Sequence, residues 1–334
     1  MPVLKNSTIL QLAKNLRAFL NLEVGLTHAR VQDYERVLEQ TRRGSTEREQ
    51  QLEQNRRSLR EKDRQLKEMR GRLAVKNQQI AALQASVALE LKNGQYDSEL
   101  YSEVAAVLDL IPADFGGGCS LSKAYMLAWL IRRYDLRETV DIGVYRGRSL
   151  FPQALAHRRF TGGVVYGVDP WSASEAKEWD INHEDKEGIN RFIEQTDWQA
   201  IYQEVEAINN QFHYEKHCVL LRQASADAAT YFENNTIFFD MIHVDGNHDT
   251  GKVTKDIELY VPRLRESGFI VLDDISWESV RPAYDILNTK MTLVFERVDH
   301  NRMNDYAVFW NDTPLSDTKY NHRLWSPRIF GESQ

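Results

Sequence analysis

The amino-acid sequence predicts an α/β fold built on a mostly parallel sheet, preceded by a long α-helical coiled coil. Two patterns predict it. Residues 24–87 carry an apolar residue at nearly every seventh position. After residue 92, short apolar runs alternate with amphipathic segments, the pattern of strands that helices cover on both faces of a parallel sheet. The last two runs are joined by a short polar stretch, so we expect the sheet to close with an antiparallel hairpin.

The seven-residue repeat indicates a coiled-coil oligomerisation segment at residues 24–92. Nine of the ten positions in the row are apolar, namely all but Ser45 among Val24, Val31, Leu38, Ser45, Leu52, Leu59, Leu66, Leu73, Ile80 and Val87. The companion row three residues later is mostly polar, so we expect a modestly stable homodimer or homotrimer. At about 1.5 Å per residue the rod would be on the order of 100 Å long. A solitary charged helix or a disordered linker is the alternative.

Other features of the sequence indicate the location of the protein and the kinds of partner it does not attract. Residues 1–23 form a predicted amphipathic helix, without the long apolar run of a signal peptide or a membrane span. Packing is the favoured role of that helix, and peripheral association with the inner face of a membrane is the alternative. Cys119 and Cys218 fit no metal or redox spacing, which favours the cytoplasm. The net charge of −7 gives no attraction to nucleic acid.

Residues 93–315 form the predicted catalytic domain, and residues 316–334 form a tail. Five apolar runs predict parallel strands: T-V-D-I-G, V-V-Y-G-V-D, H-C-V-L-L-R-Q-A-S, T-I-F-F-D-M-I-H-V-D and G-F-I-V-L-D-D. Two more, T-L-V-F-E-R-V and D-Y-A-V-F-W, predict the closing hairpin. The intervening segments, such as residues 101–135 and 250–264, read as helices.

The end of the first predicted strand carries a glycine turn, V-D-I-G-V-Y-R-G-R-S, with Gly143 and Gly147. Asp169 ends the second strand. In doubly wound sheets, ligands bind outside the carboxyl ends of the strands, where an acid can accept hydrogen bonds from ribose hydroxyls. The G-x-x-x-G spacing differs from the dinucleotide fingerprint, and the G-K-[ST] of a P-loop is absent.

Residues 120–312 resemble the class I S-adenosylmethionine-dependent methyltransferases, which have a Rossmann-like seven-stranded sheet. Their first motif matches Asp141, Gly143 and Gly147, and their ribose-binding acid matches Asp169. The resemblance implies S-adenosylmethionine as cofactor. It further implies that the cofactor contacts Asp141, Gly143, Tyr145, Gly147, Ser149, Asp169, Trp171, Ser225 and Asp245. Ser225 would lie near the adenine, although a helix N-cap is an equal reading of this serine.

The stretch V-D-G-N-H-D-T-G, residues 244–251, alternates acidic and amide side chains as a calcium loop does. Counted from Asp245, however, Thr250 takes the sixth position, where an EF-hand needs glycine, and Asp256 takes the twelfth, where it needs glutamate. A strand also precedes this loop instead of a helix. We therefore interpret Asp245 as the tip of the fourth strand.

Asp273 and Asp274 end the fifth strand, which should lie beside the fourth. Three carboxylates would then converge at one edge of the sheet, and uncompensated charge of that kind is costly. All-oxygen ligation suits a hard divalent cation, with Mg²⁺ favoured. We expect Asp245, Asp273 and Asp274 to be its ligands. Asp245 as a turn former and Asp274 as an N-capping acid are the structural alternatives.

This arrangement resembles the macrocin-type O-methyltransferases, which methylate deoxysugar hydroxyls and require a metal. Their D-G-x-H motif matches Asp245, Gly246 and His248. The resemblance implies that His248 is the catalytic base and that the acceptor is a sugar hydroxyl, on a glycan, a polysaccharide or a glycosylated metabolite. Two alternatives stay open: methylation of a small phenol or other natural-product hydroxyl, and a coiled-coil scaffold with a degenerate methyltransferase fold. His248 could also be purely structural.

A long polar connection follows the second predicted strand. It contains Trp171, Trp179, Asp180 and His183. Loops of this size at a ligand-binding edge are commonly lids or substrate-binding segments. The aromatic side chains could stack on a sugar ring or on adenine, or they could pack a small helical cap.

Overall fold

The computed structural model describes residues 6–92, 97–114, 118–181, 186–298 and 305–312. The chain divides into two compact units, Met1–Asn77 and Gln78–Gln334, and each is described by itself. The predicted tail at residues 316–334 and the candidate lid residue His183 lie outside the described residues.

Helix α1 runs from Asn6 to Lys92, and the first unit contains its residues up to Asn77. The helix continues without a break through residue 23, where we predicted a boundary between two segments. It ends where the seven-residue repeat stops. The described apolar side chains of the seven-residue row are 43–63% exposed in the single chain: Val31, Leu38, Leu52, Leu59, Leu66 and Leu73. Exposed ion pairs such as Glu39–Arg43 and Glu68–Arg72 stabilise the helix by only a few tenths of a kcal/mol each. The helix is thus established, and its assembly into a coiled coil stays a prediction.

The second unit is built on the predicted seven-stranded sheet. Its strands are β1 Glu138–Ile142, β2 Val164–Val168, β3 Cys218–Leu221, β4 Phe239–Val244, β5 Leu264–Asp273, β6 Thr292–Arg297 and β7 Tyr306–Trp310. Their order is β3-β2-β1-β4-β5-β7-β6. All neighbours are parallel except β7, which pairs antiparallel with β5 and β6. The closing hairpin is confirmed.

Helices cover both faces of this sheet. One face is covered by α2 Ser98–Leu108, α3 Leu121–Tyr134, α4 Leu150–Ala156 and α7 Trp198–Gln211, and the other by α8 Ser225–Asn234, α9 Thr250–Tyr260 and α10 Arg281–Lys290. The short helices α5 Ala173–Ala176 and α6 Lys186–Gln195 lie in the connection after β2. A π-helical turn, His157–Thr161, continues α4, and a 3₁₀ turn, Val261–Arg263, continues α9. Within the described residues, no helix combines the length and apolarity needed to cross a bilayer.

The core follows from the alternation of side chains along the strands. Met241 and Val271 face the layer that contains α2, α3 and α4. Ile242 and Ile270 face the opposite layer, with α8, α9 and α10. Apolar side chains on both faces bury most of the central strands β1 and β4, as the continuous apolar runs predict, while β3 at the edge of the sheet is largely half-buried.

The strand register brings four strand ends together. Ile142 of β1 pairs with Val168 of β2 and Val244 of β4, and Val244 pairs with Leu272 of β5. The loops that follow these strands therefore begin side by side at one edge of the sheet. Most of the predicted site residues lie in those loops or at the ends of these strands, whereas Ser225 follows β3.

Candidate active site

The glycine turn after β1 allows two loops to touch. Gly143 has φ +90°, and a Cβ built on it would lie 1.9 Å from the Asp245 carbonyl oxygen. The Asp245 N–H donates to the Ile142 carbonyl at 2.9 Å. Gly147 has φ +87°, and a Cβ there would meet the Phe151 ring at 2.5 Å. Glycine is required at both positions by backbone conformation and by space.

Asp169 lies at the end of β2, as predicted, and its carboxylate is held by the backbone. It accepts hydrogen bonds from the N–H groups of Tyr145 at 2.9 Å and Trp171 at 2.6 Å. Burial raises the pKa of Asp169 to about 6, although these N–H donors oppose the shift. The side chain lines the cleft at the edge of the sheet. A fixed carboxylate at this point can accept hydrogen bonds from a ribose.

Three of the predicted cofactor contacts, Asp141, Gly147 and Trp171, do not line the cleft. The Asp141 carboxylate is fully buried and lies 2.6 Å from His243 Nδ1, away from the cleft lining. Trp171 is 2% exposed, and its Nε1 donates to the Tyr145 carbonyl at 2.8 Å. Its ring packs edge-on against Tyr202. Asp141 and Trp171 therefore lie behind the turns that line the cleft and support them.

The two predicted serine contacts both line the cleft. Ser149 caps α4 by position but makes no side-chain capping bond. Ser225 is the first residue of α8, whose N-cap is Ala224. The Ser225 side chain bonds Asp256, whose pKa burial raises to about 6. Ser225 therefore does not act as the helix N-cap that the sequence also allowed.

The three acids predicted to bind a cation meet at the tips of β4 and β5, together with a lysine that the sequence analysis missed. Lys123, on α3, donates from Nζ to Asp273 Oδ2 and lies 3.4 Å from Asp245 Oδ2. It is 1% exposed. Burial opposes the charged form, but Asp273 and then Asp245 outweigh it, so the pKa of Lys123 is raised well above its usual value. The sequence feature that could have identified Lys123 is its position as the single charged residue in the apolar run S-K-A-Y-M-L-A-W-L.

His248 is held between two carboxylates. Its Nδ1 hydrogen-bonds Glu178 Oε1 at 2.5 Å, and its Nε2 lies 2.6 Å from Asp274 Oδ2 without hydrogen-bond alignment. The imidazole packs on Trp277, with ring centroids 4.5 Å apart. Burial would lower the pKa of His248, but Asp274 and then Glu178 raise it well above the usual value. Glu178 was not identified from the sequence.

The loop 244–251 also fastens the segment that carries Glu178. Asn247 donates from Nδ2 to the Lys177 carbonyl at 2.9 Å. Asp249 Oδ1 accepts hydrogen bonds from the N–H groups of Trp179 at 2.7 Å and Asp180 at 2.8 Å. The alternating polar residues of this loop therefore bind backbone groups of the connection after β2.

The resulting cleft has a volume of about 660 Å³, within the usual range for small-molecule sites. Nine of the predicted site residues line it: Gly143, Tyr145, Ser149, Asp169, Ser225, Asp245, His248, Asp273 and Asp274. Two groups of residues at or behind the cleft each bring possible metal-ligand atoms within 4.8 Å of one another. One set is His243, Asp245 and Asp273, and the other is Asp245, His248 and Asp274.

Comparison with known proteins identifies the domain. Residues 140–275 match a family model described as a methyltransferase domain. A curated relative, the uncharacterized protein y4gI of Sinorhizobium fredii, is 28% identical over 151 residues. Those residues are 44% of this chain but 14% of the relative, so the chain spans only a small part of that protein's length.

Solved structures of methyltransferases are similar to part of this chain at low sequence identity. An O-methyltransferase from Bacillus cereus in complex with SAH is 17% identical, covering 69% of this chain and 96% of its own, with a TM-score of 0.41. The O-methyltransferase TomG from Streptomyces achromogenes, in complex with SAM, is 14% identical, covering 68% and 96%, with a TM-score of 0.45. Likenesses this distant carry no argument about activity. The match of residues 140–275 indicates a methyltransferase domain in this part of the chain, on a sheet with the strand order β3-β2-β1-β4-β5-β7-β6.

Proposed function

We propose that this protein transfers the methyl group of S-adenosylmethionine to a hydroxyl group, with His248 as the general base. The observation that carries the proposal is the pairing of His248 with the buried Glu178 at the cleft edge where β4 and β5 end. The Glu178 carboxylate on Nδ1 fixes the ring. Nε2 can take a substrate proton once a bound cation offsets the charge of Asp274, which lies against Nε2 and raises the pKa of His248. The backbone N–H of His248 also donates to Glu178, which further restricts the loop.

The cofactor would occupy the cleft between the turn after β1 and the start of α8. Asp169 would accept hydrogen bonds from the ribose, because its carboxylate is fixed by two backbone N–H groups. Ser225, in the first turn of α8, and Asp256, in the second turn of α9, line the cleft on the side proposed for the adenine. The methyl group would then face His248 and the acids at the tips of β4 and β5.

The chemical step is a direct displacement. The acceptor O–H proton passes to His248 Nε2 as the oxygen lone pair forms a bond to the methyl carbon. The bond between that carbon and the sulfonium breaks, and its electrons return to sulfur, leaving S-adenosylhomocysteine. Glu178 stabilises the imidazolium that forms, and the proton leaves later to solvent. Trp277 covers one face of the ring and restricts its orientation.

A divalent cation, with Mg²⁺ favoured, fits this group of acids because their negative charge is not fully compensated. Asp245, Asp273, Asp274 and Glu178 bring four carboxylates to the site, while Lys123 supplies one fixed positive charge. Among the described residues, no lysine or arginine forms an ion pair with Asp274. Asp245 and Asp274, with Asp273 nearby, would hold the ion. When bound, it would lower the pKa of an acceptor hydroxyl and offset the charges around His248.

A sugar hydroxyl is the acceptor we favour. The resemblance of the D-G-x-H loop to macrocin-type enzymes supports it, as do the aromatic side chains beside the cleft. Trp277 lines the cleft, and Trp179 is 64% exposed on the fastened segment. Flat aromatic surfaces of this kind suit the apolar face of a sugar ring.

The acceptor class can be tested by S-adenosylhomocysteine release. The protein would be incubated with S-adenosylmethionine and a matched panel of glycosides, nucleotide sugars and catechols, with His248→Ala as control. We expect turnover with a sugar hydroxyl and none in the control. Turnover with catechols alone would support the phenol alternative. Cofactor binding without turnover on any acceptor would support the scaffold alternative.

We further propose that α1 assembles the protein into a homodimer or homotrimer. The exposed row from Val31 to Leu73 supports this, because a coiled-coil partner would bury it. The alternative, a solitary helix, would leave that row in water and rely on weak ion pairs.

We propose a cytoplasmic location, because Cys119 and Cys218 are both free and buried. Peripheral attachment to the inner face of a membrane through residues 1–23 is the alternative.

A further inference from the structure

The acids at the tips of β4 and β5 form two adjacent cation positions that share Asp245. One position combines Asp245 with Asp273 and His243, and the other combines Asp245 with His248 and Asp274. A metal ion with all three carboxylates as ligands would have to draw on both positions. The structure shows that the two positions differ in their surroundings.

The Asp245–Asp273 position already contains a positive charge. The Lys123 Nζ donates to Asp273 and lies 3.4 Å from Asp245 Oδ2. The side chain is 1% exposed, so the ammonium has no route to bulk solvent without displacement of the surrounding core. Its backbone is anchored as well, because the Lys123 N–H donates to the Ser120 side chain that caps α3.

The Asp245–His248–Asp274 position has no such ammonium. Its side chains are 15–23% exposed and line the cleft. Within it, His248 Nε2 and Asp274 Oδ2 lie 2.6 Å apart without hydrogen-bond alignment. This open position is therefore the one that a soluble ion and a substrate can reach.

We propose that Lys123 is a built-in cation that permanently fills the Asp245–Asp273 position and confines divalent-ion binding to the open position, where Asp245 and Asp274 would hold the ion beside His248. The statement about the divalent ion rests on the function proposed above, whereas the role of Lys123 does not. Lys123 is a positioning residue, since it acts by orienting Asp245 and by neutralising Asp273. It follows that Asp273 stabilises the site without ligating the metal.

Charge balance gives the proposal a measurable consequence. Replacing Lys123 with methionine keeps the length of the side chain and removes its charge. Two carboxylates would then share a buried position without a counter-ion, which is strongly unfavourable. A divalent cation can restore the balance, so the variant should acquire a metal site that the wild-type chain lacks.

The experiment measures Mn²⁺ binding to the full chain by electron paramagnetic resonance, with S-adenosylhomocysteine present. We expect one ion per chain in the wild type. In Lys123→Met we expect a second ion, or affinity at least about tenfold tighter. Lys252→Met is the matched control, because Lys252 lines the same cleft but pairs with Glu175, and it should bind as the wild type does.

The double variant Lys123→Met/Asp273→Asn removes the charge pair as a whole. It should bind one ion per chain, as the wild type does, and it keeps the test valid if Lys123→Met alone fails to fold. Unchanged stoichiometry and affinity in Lys123→Met would overturn the proposal. Loss of Mn²⁺ binding in the double variant would overturn it too, because Asp273 would then be a ligand. If the wild type binds no ion while Lys123→Met binds one, the role of Lys123 stands and the metal part of the proposed function fails.

Discussion

Glu178 Oε1 lies 2.5 Å from His248 Nδ1, although the two residues are 70 positions apart in the chain. Asn247 and Asp249 make this pairing possible, because they bind the backbone on both sides of Glu178. The connection after β2 and the loop after β4 therefore form one unit at the cleft. Any movement of this connection would change the orientation of the imidazole as well as the shape of the acceptor site.

Glu178→Gln should lower kcat with little change in cofactor affinity. The amide can still accept a hydrogen bond from Nδ1, but it carries no charge to stabilise the imidazolium. We expect a loss of about tenfold to hundredfold, and a larger loss in His248→Ala, about 10²–10⁴-fold. Turnover kinetics and calorimetric titration with S-adenosylhomocysteine would measure the two quantities.

Glu175→Gln is the control for that change, since Glu175 belongs to the same segment and pairs with Lys252 at the surface. It should leave kcat nearly unaltered. If Glu178→Gln and Glu175→Gln behaved alike, Glu178 would have no specific action on His248.

Cofactor affinity should fall when the pH is lowered through about 6. Burial raises the pKa of Asp169 to about 6, and the ribose hydroxyls would bind its ionised form. Below that pH the carboxyl must first lose a proton, so the apparent Kd should rise about tenfold per pH unit. Above pH 7 the carboxylate is ionised and the Kd should be flat. Calorimetry between pH 5 and pH 8, values chosen to bracket that pKa by about one unit or more, would show the break.

Asp256 is the necessary control, because burial also raises its pKa to about 6 and it lines the same cleft. The break should persist in Asp256→Asn and disappear in Asp169→Asn. The opposite result would assign the pH dependence to the acid beside Ser225.

Dialysis against a chelator should abolish turnover, and Mg²⁺ or Mn²⁺ should restore it. Asp245 and Asp274 would otherwise retain charge beside the reacting oxygen without compensation. Asp274→Asn should weaken binding of the ion, so that a higher ion concentration is needed to restore turnover. Full turnover after exhaustive chelation would exclude a metal from the step and leave His248 and Glu178 as the whole of the acid–base chemistry.

The sequence predicts the sheet well because each strand is a continuous apolar run, and the acids at the strand tips follow from the topology. The contacts of Lys123 and Glu178 could not be predicted in the same way. Lys123 meets Asp245 and Asp273 across 122 and 150 residues, so only the folded chain brings them together. The motif predicts that the Asp141 carboxylate faces the ligand, but this carboxylate pairs with His243 inside the sheet layer. Motif position alone does not determine which side of a strand a carboxylate occupies.

The exposed row on α1 should determine the oligomeric state. Leu38→Lys with Leu59→Lys would place charges in the proposed seam, where burying them is costly, and should convert the oligomer to a monomer. The control is Val37→Lys with Ser58→Lys, which adds the same charges one position away from the row. Val37 and Leu38 are 59% and 63% exposed in the single chain, so exposure alone would predict the same result for both pairs. Light scattering on the full chain measures the mass. A monomeric wild type, or equal masses for the two pairs of substitutions, would show that the row does not mediate assembly.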